Sequence, residues 1–307
     1  MISIDIGSNS LRVLQLDCDN FEKVFEYEKI VRTADKLENS GKISNDAIDR
    51  IIKALKEVQK IIDFSKDEVE AVATAAFRIA SNANEVVDRI KKETNIKVKI
   101  IDANLEAFYC VSAVEHRLIK LGLESKKFLL ADIGGGSTEL ILKNEDELAT
   151  KSFNFGIVTI AQKYKTKENI LKGIKKSLEP AKFFLDELYK IFSKPKRFVA
   201  TGGTPTTLAA MKLSLDYENY DSTLINGMVL FPIDLDNALK KLISMDEKER
   251  SKIVGVGRED LIIAGVLILK ELMKIAKFDE VLVSDDGVRE GVAIVGCKKI
   301  LSKKVNQ

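Results

Sequence analysis

Two segments of the chain carry the same pattern at an offset of 127 residues. The segment IDIGSNS at residues 4–10 aligns without gaps with ADIGGGS at residues 131–137, and each copy places Asp-Ile-Gly and a small polar turn between two apolar runs. A repeat at close to half of a 307-residue chain predicts two homologous lobes. Two matching turns that face each other across a cleft would enclose a ligand, so we expect a ligand cleft between the lobes.

Strand and helix patterns alternate along most of the chain, which favours an α/β fold with mixed sheets flanked by helices. Alternating apolar residues predict three strands at residues 2–7, 11–16 and 23–31, and helical spacing predicts a first helix capped by Ser44. The other predicted strands are 69–73, 98–101, 128–133, 197–201 and 280–284, and the other predicted helices are 86–92, 104–121, 167–192 and a last helix from 288.

The second copy of the strand, glycine-rich turn and strand unit begins just after Lys126 and Lys127. We therefore predict two domains, residues 1–124 with the first turn and residues 125–307 with the second. We also expect the last helix to pack back on the first lobe.

Composition excludes several functional classes. Forty-nine Lys and Arg residues against 47 Asp and Glu leave a formal charge of +2, which is too small for the basic surface of a DNA- or RNA-binding protein. His116 is the only histidine, so a metal centre with several His ligands and a two-His catalytic arrangement are excluded. Acid–base chemistry must therefore use carboxylates, Lys, Tyr or Cys.

The cysteines and the N-terminus indicate a cytoplasmic protein. Cys18, Cys110 and Cys297 lie far apart in the sequence without a CxxC pair, so we expect buried, reduced cysteines in a reducing compartment rather than a disulfide. The N-terminus has neither a charged nor a long apolar segment, and the longest apolar run, residues 261–269, is about half a membrane span. We expect a soluble chain that does not enter a membrane.

Both repeated turns suit a phosphate and a cation. Glycine lets the backbone approach a phosphate closely with its N–H groups exposed. Hydroxyls at Ser10, Ser137 and Thr138 add donors, and the carboxylates of Asp5 and Asp132 can hold hydrated Mg²⁺. One such turn alone could be a hairpin whose Gly and Asn satisfy a positive φ angle, but the pair favours the ligand site.

A third loop, TGGTPTT at residues 201–207, follows a predicted strand and precedes a predicted helix. Exposed N–H groups and the helix dipole favour an anion at such a position. The alternative is an ordinary capped turn.

Five motifs together resemble the exopolyphosphatase and guanosine pentaphosphate phosphohydrolase family. They are DIGSNS (5–10), ATAAFRIASN (73–82), LEAFYCVSAVEH (105–116), DIGGGSTE (132–139) and VSDDGVREG (283–291), and the resemblance runs from residue 2 to about residue 295. It implies two ribonuclease-H-like lobes of the superfamily that contains acetate kinase, sugar kinases, chaperone ATPases and actin. It also implies Mg²⁺-dependent hydrolysis of a terminal phosphoanhydride, in inorganic polyphosphate or at the 5′ end of guanosine pentaphosphate.

The resemblance also implies roles for single residues. Glu106 matches the family's catalytic glutamate, which positions and deprotonates the attacking water, and Arg78 matches the arginine that holds the terminal phosphate. Asp132 and Glu139 match the acidic pair associated with metal and catalysis, and Asp5 is a further candidate for the shell of the ion. The residues expected to contact substrate phosphates are Gly7, Ser8, Asn9, Ser10, Gly134, Gly135, Gly136, Ser137, Thr138, Gly202, Gly203, Thr204 and Arg289.

Several of these residues have a structural alternative. A carboxylate in the first turn of a helix is favoured by the helix dipole alone, which would account for Glu106. Arg78 could be an ordinary surface residue, and Glu139 could pair across strands with Arg12 or a lysine. His116, which keeps the family's Glu-His pair, is expected to be structural.

The chain departs from the family pattern beside Glu106 and in the third loop. Leu105 and Phe108 replace a glutamate and an arginine, which leaves the proposed base in place and weakens the expected substrate contact at this edge. Pro205 removes one backbone donor from the third loop. The C-terminal histidine–aspartate helical domain of longer relatives does not follow, so we expect the short, two-lobed form.

Two other functions stay open. An ATP-dependent phosphotransferase of the same superfamily would need an adenosine pocket at residues 202–207, and Pro205 and Glu106 count against it. A non-enzymatic polyphosphate or nucleotide sensor has little use for carboxylates converging beside a polyanion. The expected partners are the substrate polyanion and, in a homodimer, a second copy; the amphipathic stretch 170–192 is either that interface or a packed helix.

Overall fold

The protein is described by a computed structural model of residues 1–305, with the side chains of residues 1–303. Contacts divide the chain into two compact units. Unit 1 contains Met1–Ala113 and the segment that begins at Val288, and unit 2 contains Val114–Gly287. The domain boundary that the sequence predicts after residue 124 stays a prediction.

The first part of the chain forms five strands and five helices. The strands are β1 (Ile2–Ile6), β2 (Ser10–Leu16), β3 (Lys23–Ile30), β4 (Val69–Ala73) and β5 (Val98–Ile100). The helices are α1 (Leu37–Ser40), α2 (Asn45–Val58), α3 (Ala75–Ile79), α4 (Ala83–Thr94) and α5 (Ala103–Lys120).

The rest of the chain forms six strands and eight helices among the described residues. The strands are β6 (Lys127–Ile133), β7 (Thr138–Asn144), β8 (Glu147–Phe153), β9 (Phe198–Thr201), β10 (Val229–Leu230) and β11 (Val281–Val283). The helices are α6 (Ile157–Tyr164), α7 (Lys167–Ile191), α8 (Gly203–Lys212), α9 (Ser222–Ile225), α10 (Pro232–Ser244), α11 (Glu247–Val254), α12 (Ile262–Ile275) and α13 (Val288–Val305).

The two sheets share one strand order, which confirms the mixed α/β class. Unit 1 has the order β3-β2-β1-β4-β5, and unit 2 has β8-β7-β6-β9-β11 with β10 added at its edge. In each sheet the first three strands are antiparallel neighbours and the next two run parallel to the first strand. The sequence repeat is therefore also a repeat of structure.

Both repeated turns close with the same backbone hydrogen bond. The N–H of Gly7 donates to the carbonyl of Ser10 at 2.9 Å, and the N–H of Gly134 donates to that of Ser137 at 3.0 Å. Neither glycine has a left-handed φ angle. The alternative in which these glycines serve a positive φ is therefore wrong for both positions.

The core of unit 1 follows from two periodicities. The alternate residues Ile2, Ile4 and Ile6 of β1 point to one face, where the apolar stripe of α2 packs against them. Ser44 caps α2 as predicted, because its hydroxyl accepts from the N–H of Ala47 at 3.3 Å. On the other face, Leu14 packs with residues of α13.

A disulfide joins Cys18 to Cys297, so the expectation of three reduced cysteines is wrong. The residues are 279 apart in the sequence, yet α13 packs on β1 and β2 and brings Cys297 to the end of β2. The spacing of cysteines in the sequence does not show which distant cysteines come close together in the fold. The sequence therefore did not reveal the disulfide. The cysteine spacing therefore does not support a reducing compartment. Cys110 is buried and forms no disulfide.

The core of unit 2 lies between its sheet and the helices that pack around α12. One face of β6 and β7 contributes Leu129, Ala131, Ile133 and Leu140 to it. Among the described residues, no helix combines the length and the apolar composition that a membrane-spanning segment requires.

The disulfide predicts a stability that depends on redox state. A cross-link that closes a long loop restricts the unfolded chain, so reduction should lower the free energy of unfolding by about 2–4 kcal/mol. Urea unfolding with and without dithiothreitol measures this change. Cys18→Ser is the control, because it should match the reduced wild type and should not respond to dithiothreitol. Equal stability of the oxidised and reduced wild type would contradict the prediction.

Candidate functional site

The glycine-rich turn of unit 2 is held by the start of α6. The N–H groups of Ile157 and Val158 donate to the carbonyls of Gly134 and Gly135 at 3.0 and 2.8 Å. These bonds direct both carbonyls toward α6. The turn therefore has a fixed backbone, as a phosphate cradle requires.

Gly156 makes this arrangement possible, and it is a residue that sequence reasoning missed. An ideal Cβ at Gly156 would lie 2.5 Å from the carbonyl oxygen of Gly135 and 2.6 Å from that of Gly134. Only glycine admits such an approach without displacing the turn. The available signal was a glycine between a strand and a helical pattern, which by itself indicates an ordinary helix start.

The turn of unit 1 is tied in a similar way. The carbonyl of Ser8 accepts from the N–H of Ala34 at 2.8 Å, and that of Asn9 accepts from Val31 and Arg32 at 2.9 and 2.8 Å. Ser8 and Asn9 are buried, and Ser10 opens β2. Both predicted cradles therefore have carbonyls that are bound by the segment after the third strand of their own sheet.

A pair of carboxylates lies on one face of the unit 2 sheet. Asp132 of β6 and Glu139 of β7 are directly opposite each other, and opposed residues of antiparallel strands share a face with Cβ atoms about 4.5–5.5 Å apart. Glu139 is 1% exposed and accepts from the hydroxyls of Ser137 at 2.8 Å and Ser152 at 2.7 Å. Its cross-strand neighbours are Asp132 and Ser152, so a lysine is not its strand partner.

These two carboxylates fit a divalent cation. Mg²⁺ prefers one or two carboxylate oxygens and keeps several waters, so Asp132 and Glu139 form a suitable donor set. The matching position in unit 1 differs, because Asp5 lies opposite Arg12 rather than opposite a second carboxylate. Asp132 and Glu139 therefore fit the cation as a pair, and a metal-binding role of Asp5 stays a prediction.

Arg78 and Glu106 form an ion pair within unit 1. Arg78 of α3 donates from Nη1 to Oε2 of Glu106 at 2.5 Å and to the carbonyl of Ile101 at 3.2 Å. Glu106 lies in the first turn of α5 but is only 6% exposed. Glu106 is therefore not a solvated carboxylate at a helix end, and Arg78 is not an isolated surface residue.

The helix that carries Glu106 is anchored one turn further on. The hydroxyl of Tyr109 donates to Glu70 at 3.0 Å, and burial, together with this carboxylate, raises the pKa of Tyr109 to about 12. An ideal Cβ at Gly291 would lie 1.9 Å from the carbonyl oxygen of Tyr109. The glycine of the Arg-Glu-Gly motif thus lets α13 approach the backbone of α5.

The third loop packs against the end of β6, just before the glycine-rich turn of unit 2. Gly202 has a φ of 101°, and an ideal Cβ there would lie 2.5 Å from the carbonyl oxygen of Ile133, so this position requires glycine. The loop continues into α8 through Gly203. The side chain of Thr204 packs against Gly265 of α12, which leaves the backbone of this loop as the part suited to a phosphate.

Thr138 and Arg289 have surroundings that the sequence did not indicate. Thr138 is fully buried on the core face of β7, opposite Ile133. The guanidinium of Arg289 donates to Glu26 at 2.8 Å and, from Nε, to the adjacent Glu290 at 2.8 Å. The Thr138 side chain is thus buried in unit 2, and the Arg289 side chain is hydrogen-bonded within unit 1. The phosphate-binding roles of both residues stay predictions.

The sequence matches a known family over nearly its whole length. The profile of the Ppx/GppA phosphatase family matches residues 13–299. The chain therefore belongs to the Ppx/GppA phosphatase family. This confirms the resemblance that the motifs indicate.

Three curated relatives illustrate the range of similarity. A bifunctional 3-dehydroquinate synthase/phosphatase of Fusobacterium nucleatum is 30% identical, over 96% of this chain and 46% of that protein. A guanosine-5′-triphosphate,3′-diphosphate pyrophosphatase of Pseudoalteromonas translucida is 28% identical, over 94% and 57%. Exopolyphosphatase 2 of Mycobacterium tuberculosis is 26% identical, over 95% and 97%. The chain spans about half the length of the first two relatives.

A solved structure confirms the fold class. The crystal structure of the Aquifex aeolicus Ppx/GppA family member is 32% identical, covers 97% of each chain and has a TM-score of 0.74. The predicted ribonuclease-H-like, actin-like ATPase fold is therefore confirmed.

The close approach of Gly156 predicts a large effect of one methyl group. Gly156→Ala should lower the free energy of unfolding by about 1–3 kcal/mol, because the new Cβ must displace the carbonyls of the turn. Urea unfolding measures the change. Gly287→Ala is a matched control, since its Cβ would meet nothing closer than 3.4 Å. If Gly156→Ala is as stable as the wild type, the turn is not held as described.

The ion pair predicts coupling between Arg78 and Glu106. Arg78→Ala and Glu106→Ala should each cost about 1–3 kcal/mol of stability, because each leaves a partly buried charge without its partner. The double variant should cost less than the sum by at least about 0.5 kcal/mol. A double-mutant cycle of unfolding free energies tests this, and additive costs would contradict the pair.

Proposed function

We propose that this chain hydrolyses the terminal phosphoanhydride bond of a polyphosphate-bearing substrate with Mg²⁺. The substrate class is inorganic polyphosphate, guanosine pentaphosphate, or both. Membership of the Ppx/GppA phosphatase family supports the proposal, as do the names of the two relatives called exopolyphosphatase and guanosine-5′-triphosphate,3′-diphosphate pyrophosphatase.

One observation carries the proposal: a carboxylate pair and a glycine-rich turn occupy the same strand–turn–strand segment. Asp132 and Glu139 flank the turn at Gly134, whose carbonyl is bound by α6. Mg²⁺ at the two carboxylates would neutralise charge on phosphate oxygens and orient them. The backbone N–H groups of Gly135 and Gly136 would bind further phosphate oxygens.

The pair of Arg78 and Glu106 supports a hydrolytic reaction. A guanidinium carries five N–H donors in one plane, so Arg78 can contact Glu106 and a terminal phosphate oxygen together. Glu106 would accept a proton from the attacking water and hold that water in line with the phosphorus. Phosphoryl transfer needs little more from a protein than such positioning and positive charge.

Inorganic polyphosphate and guanosine pentaphosphate are both substrates that the site could bind. Both polyanions present a terminal phosphate, and Arg78 and the two turns would bind only phosphate groups. A homodimer and a cytoplasmic location stay predictions of the sequence.

The proposal predicts that Glu106 is essential for turnover. Glu106→Gln keeps the volume and an acceptor for Arg78 but removes the base, so it should lower kcat by about 10²-fold or more. The assay measures orthophosphate release from polyphosphate, guanosine pentaphosphate and ATP, each with and without Mg²⁺. Both polyanions, or one of them, should be cleaved with Mg²⁺ and not without it.

Glu85→Gln is the matched control for this test. Glu85 is also a glutamate in the first turn of a helix, but it is exposed, so its loss should leave kcat unchanged. Unchanged turnover in Glu106→Gln would refute the role of Glu106. Binding of both polyanions without any release would favour a sensor, and phosphate transfer from ATP to an acceptor would favour a phosphotransferase.

A further inference from the structure

A serine outside every recognised motif holds one of the proposed metal ligands. Ser152 lies in β8 directly opposite Glu139 of β7. Its hydroxyl donates to Oε1 of Glu139 at 2.7 Å. Ser137, within the glycine-rich motif, donates to the same oxygen at 2.8 Å.

Two hydroxyl donors on one carboxylate oxygen restrict the orientation of that carboxylate. A carboxylate oxygen has two lone pairs, so the two hydroxyls occupy Oε1, and a cation would be bound through Oε2. Glu139 is almost fully buried, and a buried charge is tolerated only when hydrogen bonds or ions satisfy it. The side-chain angles of Glu139 therefore depend on Ser137 and Ser152.

The sheet register places Ser152 beside Glu139 on the same face of the sheet. Asp132, Glu139 and Ser152 form one row across β6, β7 and β8, because each is the direct neighbour of the next. Paired residues of antiparallel strands point to the same face. Ser152 thus approaches Glu139 from the strand opposite to that of Asp132.

We propose that Ser152 is a positioning residue for divalent cation binding, which holds the Glu139 carboxylate in the orientation that lets it share a cation with Asp132. The inference rests on the Mg²⁺-dependent function proposed above. Groups that orient metal ligands in this way commonly change metal affinity about 10–100-fold when they are removed.

The test measures cation binding without substrate. Mn²⁺ is titrated into the 307-residue chain, and the unbound ion is followed by electron paramagnetic resonance. Ser152→Ala should weaken Mn²⁺ binding about tenfold. Ser152→Thr, which keeps the hydroxyl, should restore the affinity to near that of the wild type. Ser152→Cys, which keeps the volume but donates weakly, should behave like Ser152→Ala and replaces it if the alanine variant does not fold.

Thr150→Ala is the control within the same strand. Thr150 lies two residues before Ser152 on the same face of β8, opposite Ile141, so its hydroxyl has no carboxylate across the strand pair. Its loss should leave Mn²⁺ affinity unchanged. The Mg²⁺ concentration for half-maximal phosphate release should shift in Ser152→Ala and not in Thr150→Ala.

The outcomes separate this inference from the proposed function. If the wild type binds Mn²⁺ and releases phosphate while Ser152→Ala and Ser152→Cys bind Mn²⁺ equally well, the positioning role is wrong and the proposed function stands. Equal losses in Ser152→Ala and Thr150→Ala would also overturn the positioning role. A wild type that neither binds Mn²⁺ nor releases phosphate would overturn both.

Discussion

The pairing register of β6, β7 and β8 is the constraint on which the chemistry of unit 2 depends. It aligns Asp132, Glu139 and Ser152 in one row on one face of the sheet. A slip of one residue would turn Glu139 toward the core face, where Leu140 and Leu142 now pack. Burial of those leucines therefore holds the carboxylate in place, so packing and chemistry are linked through the period of two along β7.

Binding of the turn carbonyls is a second feature shared by both units. In each unit the segment after the third strand donates N–H groups to the carbonyls of the preceding turn. The residues that do so differ, since unit 2 uses the start of α6 and unit 1 uses residues 31–34. The two copies also differ in charge, because Arg12 occupies the position of Glu139. The two copies have thus kept the backbone but differ in the side chain at this position.

The sequence predicted the elements of the fold well because their patterns are local. The strand at 69–73 and the cap at Ser44 follow from apolar periodicity and side-chain capping, which involve only neighbouring residues. The disulfide between Cys18 and Cys297 was missed because it depends on the packing of α13 against β2. Gly156 and Ser152 were missed because nothing in their neighbours along the chain distinguishes them from ordinary turn and strand residues.

The repeat, the alternation of strands and helices and the family motifs are properties of the sequence alone, since each is a matter of residue order. They led to the α/β fold, the Ppx/GppA phosphatase family and the candidate residues Glu106, Arg78, Asp132 and Glu139. Tertiary structure decided which groups hold those residues: Glu106 is bound to Arg78, and Glu139 is bound to Ser137 and Ser152. Hydrogen bonds and close approaches depend on distance in space, and only the folded chain determines that distance.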